Sequence, residues 1–328
     1  MRSDAPASPG GPAAEGATSH LIHRPRSSEH YLLDAPCTGE EHLVLVCRTP
    51  LGHPLFNDGP GHFHDTQGAA GMAREVGEFI GHQFFGLPAE QHAVQARLRL
   101  RITHLAAWRA RPEQADLTVR VRARPTGVPR GVEMRSELSP HDVECATGTA
   151  SLAFLPPDPP LQYAPPLRPA VPSPEEREGG DAHGAPQRPA AAAEVGRGSP
   201  ANVVVSEPAE AAPYGRFVTQ LLASTYHRVF AAEGGGHLSG MLLLEAMRQT
   251  ALLGAGRTYG LAPSRATMAT SRVLFRARAE PGLPLTRTAV PGPLGRDARQ
   301  RPSVPVTVTL TQYGRRVAEA TSTVLQDF

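Results

Sequence analysis

The sequence predicts an α+β fold that is built twice along the chain. In each half a long apolar helix precedes several segments in which apolar and polar residues alternate, the pattern of an antiparallel sheet with one buried face. The two helices align without a gap: 14 residues lead from Gly71 to Phe85 and from Glu245 to Tyr259, and a glycine follows each aromatic residue. This shared spacing indicates an internal duplication.

The first folded part is predicted at residues 20–156, after a tail at 1–19 that is rich in Pro, Gly and Ala and reads as disordered. Its helix is predicted near 66–85, where "FGLP" supplies a glycine cap and a proline that prevents the helix from resuming. The segments predicted as its strands are "EHLVLVC" before the helix and "AVQARLRLRI", "DLTVRVRAR" and "ATGTASLAFL" after it.

The second folded part is predicted at 201–328, behind a Pro/Ala-rich linker at 157–200 whose composition cannot supply a core. Its helix is predicted near 239–259, and residues 289–303 are predicted as a long loop. The segments predicted as strands are "ANVVVSE" and "GRFVTQLL" before the helix, then "ATMATSRVLFRARA", "SVPVTVTLTQ" and "RVAEATSTVLQ".

Composition excludes several classes of function. The formal net charge is only +2, so charge favours neither a nucleic acid nor an anionic membrane as partner. The chain has no lysine, which excludes a Schiff-base lysine and a phosphate-loop lysine. No signal peptide and no run of about 18 apolar residues is present, so we expect a soluble cytoplasmic protein.

The second helix carries polar residues where a buried helix should have none. Glu245, Arg248 and Gln249 stand at i, i+3 and i+4 and therefore share one face of a helix that is otherwise apolar almost all round. A buried carboxylate is costly unless it is paired or needed for chemistry. Two interpretations stay open, a functional glutamate with a raised pKa and a structural Glu–Arg pair.

The loop before this helix offers further polar groups. His237 follows three glycines, and the N–H groups of Gly240 and Met241 near the helix start would suit an oxyanion or a phosphate. The same glycines are equally compatible with a simple flexible turn. In the first half, His53, His64 and Asp65 lack the offsets of zinc ligands. We therefore predict neither a metal nor a cofactor.

Particular motifs resemble the A-factor (γ-butyrolactone) biosynthesis hotdog family. They are His23-Arg24, "HPLF" from His53, "HD" at His64, Arg74, His82 and "FGLP" in the first half, and "HLSGMLLLEAMRQ" from His237 in the second. The resemblance implies a tandem double hotdog, in which each domain wraps an antiparallel sheet around its long central helix and the two domains form an intrachain pseudo-dimer. Assembly of such pseudo-dimers into a homo-oligomer stays open.

The resemblance also implies an activity and a site. The family is associated with transfer of a β-ketoacyl group from acyl carrier protein to the hydroxyl of dihydroxyacetone phosphate or a similar small acceptor. Glu245 would act as general base with His237 as relay or alternative, and Arg248 would pair with Glu245 or with the acceptor phosphate. The substrate-binding residues would be Gln249, Gly240, Met241, Arg74, Glu75 and His64.

Other functions remain compatible with the sequence. "GMLLLEAM" is also similar to the helix signature of hydroxyacyl carrier protein dehydratases, so a hotdog dehydratase or thioesterase is an alternative. A non-catalytic acyl-binding protein is another, because Gly71 stands where the family has a glutamate and Glu75 where it has a glutamine. The first-half site should then be altered or lost unless Glu75 or Glu78 compensates. The arginine-bearing strands indicate a solvated sheet face or a docking surface for the acidic carrier protein.

Overall fold

A computed structural model describes the sheet, both helices and most of their connections. The described residues are 32–34, 42–48, 55–56, 58–59, 61–110, 116–127, 130–140, 143–156, 187–209, 215–222 and 237–328. The predicted tail, most of the predicted linker, and His23, Arg24 and His53 lie outside them. Within these ranges no helix is both long and apolar enough to span a bilayer.

Two long helices and twelve strands make up the described architecture. The helices are α1 (Thr66–Phe84) and α2 (Gly240–Tyr259). The N-terminal half contributes β1 (Leu32–Asp34), β2 (His42–Arg48), β3 (His92–Ile102), β4 (Asp116–Thr126), β5 (Gly131–Pro140) and β6 (Ala146–Leu155). The C-terminal half contributes β7 (Phe217–Gln220), β8 (Ala266–Phe275), β9 (Thr286–Pro291), β10 (Gly295–Arg296), β11 (Pro302–Gln312) and β12 (Arg315–Gln326).

All these strands form one antiparallel sheet. Its order is β1-β2-β4-β5-β6-β3-β8-β12-β11-β9-β7, with β10 beside β11, so each half of the chain occupies its own half of the sheet. The pairing of β3 with β8 joins the halves, with Arg99 opposite Arg272 in the register. Helix α1 packs on β3, β5 and β6, and α2 packs on β9, β11 and β12. The hotdog fold class is confirmed, and its division into two tandem hotdog domains stays a prediction that the strand order supports.

Both predicted helices are confirmed, and their ends follow from local residues. The Asp65 carboxylate accepts a hydrogen bond from the Gln67 amide and begins α1. The Ser239 hydroxyl begins α2, and Gly260 ends it in the left-handed conformation at φ 70°.

Helix α2 is enclosed on nearly every side. From Met241 to Ala255 every residue is buried except Arg248, whose side chain is 11% exposed. The prediction that an all-round apolar helix is buried is confirmed. Glu245 is therefore fully enclosed, and the Arg248 side chain keeps a small exposed area.

Three details of the strand prediction are wrong. Strands β1, β5 and β9 are missing from the prediction, although the inner residues of β5 are buried. "ANVVVSE" forms a short 3-10 turn at Pro200–Asn202 and then only isolated bridges, because a proline starts the turn. The predicted loop at 289–303 instead holds the end of β9 and the short pairing of β10 with β11.

The predicted C-terminal boundary of the linker, at residue 200, is also wrong. Residues 192–195 form a 3-10 turn that packs against α2, and Val195 is fully buried. Gly196 then takes φ 68°, a conformation that favours glycine, and turns the chain so that Arg197 points inward. The described structure therefore includes residues 187–200, which the sequence prediction assigns to the linker.

Candidate active site

Glu245 lies at the centre of a hydrogen-bond cluster in the middle of α2. Its carboxylate is fully buried and accepts bonds from Arg197 (Nε to Oε1, 2.9 Å; Nη2 to Oε2, 2.8 Å). Arg248 also binds both oxygens (Nε to Oε2, 3.0 Å; Nη2 to Oε1, 2.9 Å). The Gln249 amide adds a fifth bond to Oε1 at 2.5 Å. Two carboxylate oxygens offer about four acceptor positions, so the carboxylate has no capacity left for a substrate proton.

The protonation state of Glu245 differs from the prediction. Burial by itself would raise the pKa of this carboxyl, but the Arg197 and Arg248 guanidiniums outweigh it and hold the pKa at about 2. The expectation of a raised pKa is therefore wrong. The predicted bidentate pairing of Arg248 with Glu245 is confirmed.

Arg197 connects this cluster to the first half of the chain. Its side chain is fully buried, and its Nη1 donates to the Asp65 carboxylate at 2.7 Å and to the Leu55 carbonyl at 2.7 Å. Because Asp65 also caps α1, one guanidinium links the start of α1 to the middle of α2. Neither Arg197 nor Asp65 was predicted to take part in this site.

Gln249 has a structural role in the cluster. Its Nε2 donates to the Asn202 carbonyl at 2.7 Å as well as to Glu245, and its Oε1 accepts from the Val204 amide at 3.0 Å. These contacts hold the segment that precedes β7 against α2. Both polar atoms of the Gln249 side chain bind protein groups, so Gln249 positions Glu245 rather than contacting a substrate directly.

A small, partly open cleft lies beside this cluster between the two helices. It is mostly apolar, and Arg248 and Gln67 contribute its larger polar side chains. The apolar residues that line it are Ala70, Leu98, Leu100, Leu244, Met247, Met268, Val273 and Ala320. The Ser271 and Ser322 hydroxyls, 3.3 Å apart, complete one wall. Such a lining suits a small apolar group that carries a few polar atoms.

Gln67 is a second residue that was not predicted. It is 4% exposed in the first turn of α1, and its Oε1 is buried without a hydrogen-bond partner in the described structure. A buried amide oxygen is normally paired. Its position in the cleft makes Gln67 a candidate contact for a polar atom of a ligand.

Some of the polar groups that were predicted to contact a ligand near the start of α2 are hydrogen-bonded within the protein. The Met241 N–H donates to the Ser239 hydroxyl at 3.2 Å, so this amide is already hydrogen-bonded within the protein and does not face a ligand as predicted. A serine cap satisfies helix amides that a bound anion would otherwise occupy. His237 is half-buried immediately before this cap, and Gly240 has open space on its Cα side.

The substrate-binding residues predicted in the first half do not line the cleft. Arg74, Glu75 and Glu78 are all buried in α1, at most 5% exposed. Burial first, and then the Glu75 carboxylate, raise the pKa of the Cys47 thiol. The His64 ring stacks edge-on against Trp108 at 5.6 Å between centroids. Their roles in substrate binding stay predictions.

The signals for the missed residues were present but incomplete. "HDTQG" is a helix-start pattern, so Asp65 was identifiable as a cap but not as an ion-pair partner. Arg197 stands 48 positions before Glu245 in a Pro/Gly-rich stretch, where no periodicity places it. Only the folded chain brings the two residues together.

Comparison with known proteins agrees with this architecture. Residues 181–326 match the model of the A-factor biosynthesis hotdog domain. A relative from Streptomyces coelicolor, named 2-oxo-3-(phosphooxy)propyl 3-oxoalkanoate synthase, is 26% identical over 277 residues, which is 83% of this chain and 82% of the relative.

One solved structure shares the fold at low sequence identity. A Lactobacillus plantarum protein described as an oleoyl thioesterase has a TM-score of 0.50 at 11% identity, covering 88% of this chain and 98% of that chain. The hotdog architecture and the family motifs on α2 thus lead to the same assignment. Residues 181–326 are thus similar to the A-factor biosynthesis hotdog domain, which confirms the resemblance seen in the sequence.

Proposed function

We propose that this protein is an acyltransferase of A-factor-type signal synthesis. It moves a β-ketoacyl group from acyl carrier protein to the hydroxyl of dihydroxyacetone phosphate or a similar small acceptor. The name of the Streptomyces relative describes such a product, an ester of a 3-oxo acid with a phosphorylated three-carbon alcohol. The observation that carries the proposal is Arg248, held in a bidentate pair by buried Glu245 at the wall of an apolar cleft.

The cleft is the proposed site of the acyl chain. Leu98 and Leu100 of β3 line it together with Leu244 and Met247 of α2. Burial of apolar surface contributes about 25 cal/mol per Å², so each methylene of a chain seated here adds to affinity. An acyl chain bound in the cleft places its polar thioester end beside the polar side chains of the cleft.

Arg248 is the proposed contact for the thioester carbonyl. Its Nε and Nη2 bind Glu245, and Nη2 also donates to the Val195 carbonyl at 3.2 Å. Its Nη1 is the remaining donor group. The cluster has no net charge, because it contains two guanidiniums (Arg197 and Arg248) and two carboxylates (Asp65 and Glu245). Arg248 is therefore proposed to act through the fixed direction of its N–H groups and not through net positive charge. Donors held in place before the reaction stabilise the oxyanion that forms during acyl transfer.

The proposed chemistry is a direct transfer. The acceptor hydroxyl attacks the thioester carbon, a C–O bond forms, and the C–S bond breaks to release the carrier thiol. We propose that the hydroxyl proton passes to the leaving thiolate, with His237, which lies outside the lining of the cleft, as a relay. Glu245 is not the base, because its oxygens are fully engaged. It orients Arg248, and this also argues against a dehydratase or thioesterase mechanism that needs Glu245 as base.

Incubation with β-ketoacyl carrier protein and dihydroxyacetone phosphate, followed by mass spectrometry, tests this function. We expect a phosphorylated ester and free carrier thiol in equal amounts. Free 3-oxo acid would identify a thioesterase, and unchanged donor would identify a binding protein. With a 3-hydroxyacyl donor, an enoyl product would identify a dehydratase. Any of these three results without the ester would overturn the proposal.

A further inference from the structure

A row of arginines crosses the outer face of the sheet. The strand registers place Arg122 opposite Arg135, Arg135 opposite Thr149, Thr149 opposite Arg99, and Arg99 opposite Arg272. Residues that face each other across antiparallel strands point to the same side of the sheet. All five of these side chains are exposed. They form one line from β4 to β8, which we call the arginine row.

The arginine row carries more positive charge than the two acids beside it, Glu133 and Glu137, can neutralise. In the described structure none of its four arginines takes part in a salt bridge, whereas the neighbouring Arg124 pairs with Glu133. Like charges directly opposite each other on adjacent strands are destabilising. The arginine row contains two such pairs, Arg122 with Arg135 and Arg99 with Arg272. The fold therefore presents a concentrated cationic stripe to solvent.

The spacing of the arginine row matches an α-helix laid across the strands. Neighbouring strands lie about 4.8 Å apart, so four strand spacings from β4 to β8 cover about 19 Å. An α-helix advances about 5.4 Å per turn, so acids on successive turns come into register with successive strands. A helix of roughly 13 residues with one acidic side spans the arginine row.

We propose that the arginine row docks an acidic helix of the acyl carrier protein. The identity of the partner rests on the proposed function, which requires an acidic carrier. The row also lies over the seam of the two halves, where β3 and β8 line the cleft with the residues of their other face. The exposed Glu137 and the paired Glu133 beside the row would repel a continuous phosphate backbone. A partner with separate carboxylates is favoured over a nucleic acid.

Binding of fluorescently labelled holo carrier protein to the full chain tests the docking surface directly. The double variant Arg99→Glu/Arg272→Glu should raise the Kd for the carrier at least about tenfold, and added salt should weaken wild-type binding. The matched control is Arg299→Glu/Arg315→Glu, which changes the same charge on exposed arginines outside the row. The control should leave the Kd within about twofold.

Steady-state kinetics separate docking from chemistry. The row variant should raise KM for the carrier-bound donor and leave kcat unchanged. It should also leave the rate with the same acyl group on a small pantetheine thioester unchanged, which shows that the variant is folded.

Two results would overturn the docking surface: equal Kd values for the wild type and the row variant, or duplex DNA that displaces the carrier from the row. Absence of ester from either donor, with carrier binding still dependent on the row, would refute the proposed function alone.

Discussion

At the scale of single residues, the carboxylate of Glu245 explains why a buried apolar helix tolerates polar side chains. Two guanidiniums and one amide satisfy both of its oxygens, and each guanidinium has further partners in the protein. A buried pair of this kind stabilises the fold weakly compared with apolar packing, but loss of one partner leaves an uncompensated charge. The effect of a substitution here is therefore large.

Glu245→Gln should destabilise the fold strongly. The amide keeps the shape but removes the negative charge from between Arg197 and Arg248, so we expect the free energy of unfolding to fall by about 3–5 kcal/mol. Urea denaturation measures this loss. Glu194→Gln is the matched control, because Glu194 forms an exposed bidentate pair with Arg257. It should cost about 0–1 kcal/mol. Equal costs for both variants would show that the buried cluster is not a structural centre.

Arg248→Lys should impair acyl transfer more than stability. An ammonium cannot bind both oxygens of Glu245 and also reach the Val195 carbonyl, so its position in the cleft is lost. Misplacement of a contact by about 1 Å costs about 10²-fold in rate, and we expect kcat/KM to fall by that order. Arg257→Lys, at an exposed bidentate pair on the same helix, is the control and should retain its activity. Full activity of Arg248→Lys would exclude Arg248 from the reaction.

At the scale of elements, two glycines set how closely α1 approaches the sheet. A Cβ on Gly77 would overlap the Leu152 side chain, and a Cβ on Gly81 would overlap the Phe154 ring. The two glycines lie one turn apart on the helix and face two alternate residues of β6. Their missing side chains are what allow this close packing.

Gly81→Ala should therefore destabilise the protein even though alanine favours helices. Overpacking costs about 1–3 kcal/mol, which exceeds the gain in helix propensity of about 1 kcal/mol. Gly68→Ala on the same helix is the control, because its Cβ would make only ordinary contact with Phe56 at 3.9 Å. We expect its melting temperature to rise slightly. A higher melting temperature for Gly81→Ala would show that α1 moves away from the sheet at little cost.

Elements with strong hydrophobic patterns were predictable, and those formed by tertiary contacts were not. Helix α2 and strand β11 have long regular patterns, and the structure has them at nearly the predicted residues. The 3-10 turn at 192–195 and the inward course of Arg197 depend on the surface of α2 that they contact. The pair of Glu245 with Arg248 was visible at spacing i+3, whereas the partner from 48 positions upstream was not.

At the scale of the whole molecule, ion pairs join the two halves at places other than the shared sheet. Arg197 bridges Asp65 of the first half and Glu245 of the second. At the C-terminus the buried Asp327 accepts bonds from Arg109 and His62 of the first half. The halves are therefore expected to unfold together.

Asp65→Asn and Glu245→Gln should show a coupled effect on stability. Both acids neutralise the same buried guanidinium, so a double-mutant cycle should give an interaction energy of about 0.5–3 kcal/mol. Asparagine still caps α1, so the cycle reports on Arg197 rather than on the cap. The control cycle of Asp65→Asn with Glu194→Gln should be additive. Additivity in the first cycle would show that Arg197 does not couple the halves.

The most direct test is a ¹³C NMR titration of the Glu245 carboxyl, assigned by its loss in Glu245→Gln. The two guanidiniums lower its folded pKa from an ordinary 4.5 to about 2, so its stabilising effect is complete above pH 4.5 and is lost as pH falls toward 2. The Glu245 signal should therefore stay at its ionised position from pH 8 down to pH 4.5. A titration between about pH 5 and 7, as for a general base, would contradict the assignment of Glu245 as the anchor of Arg248.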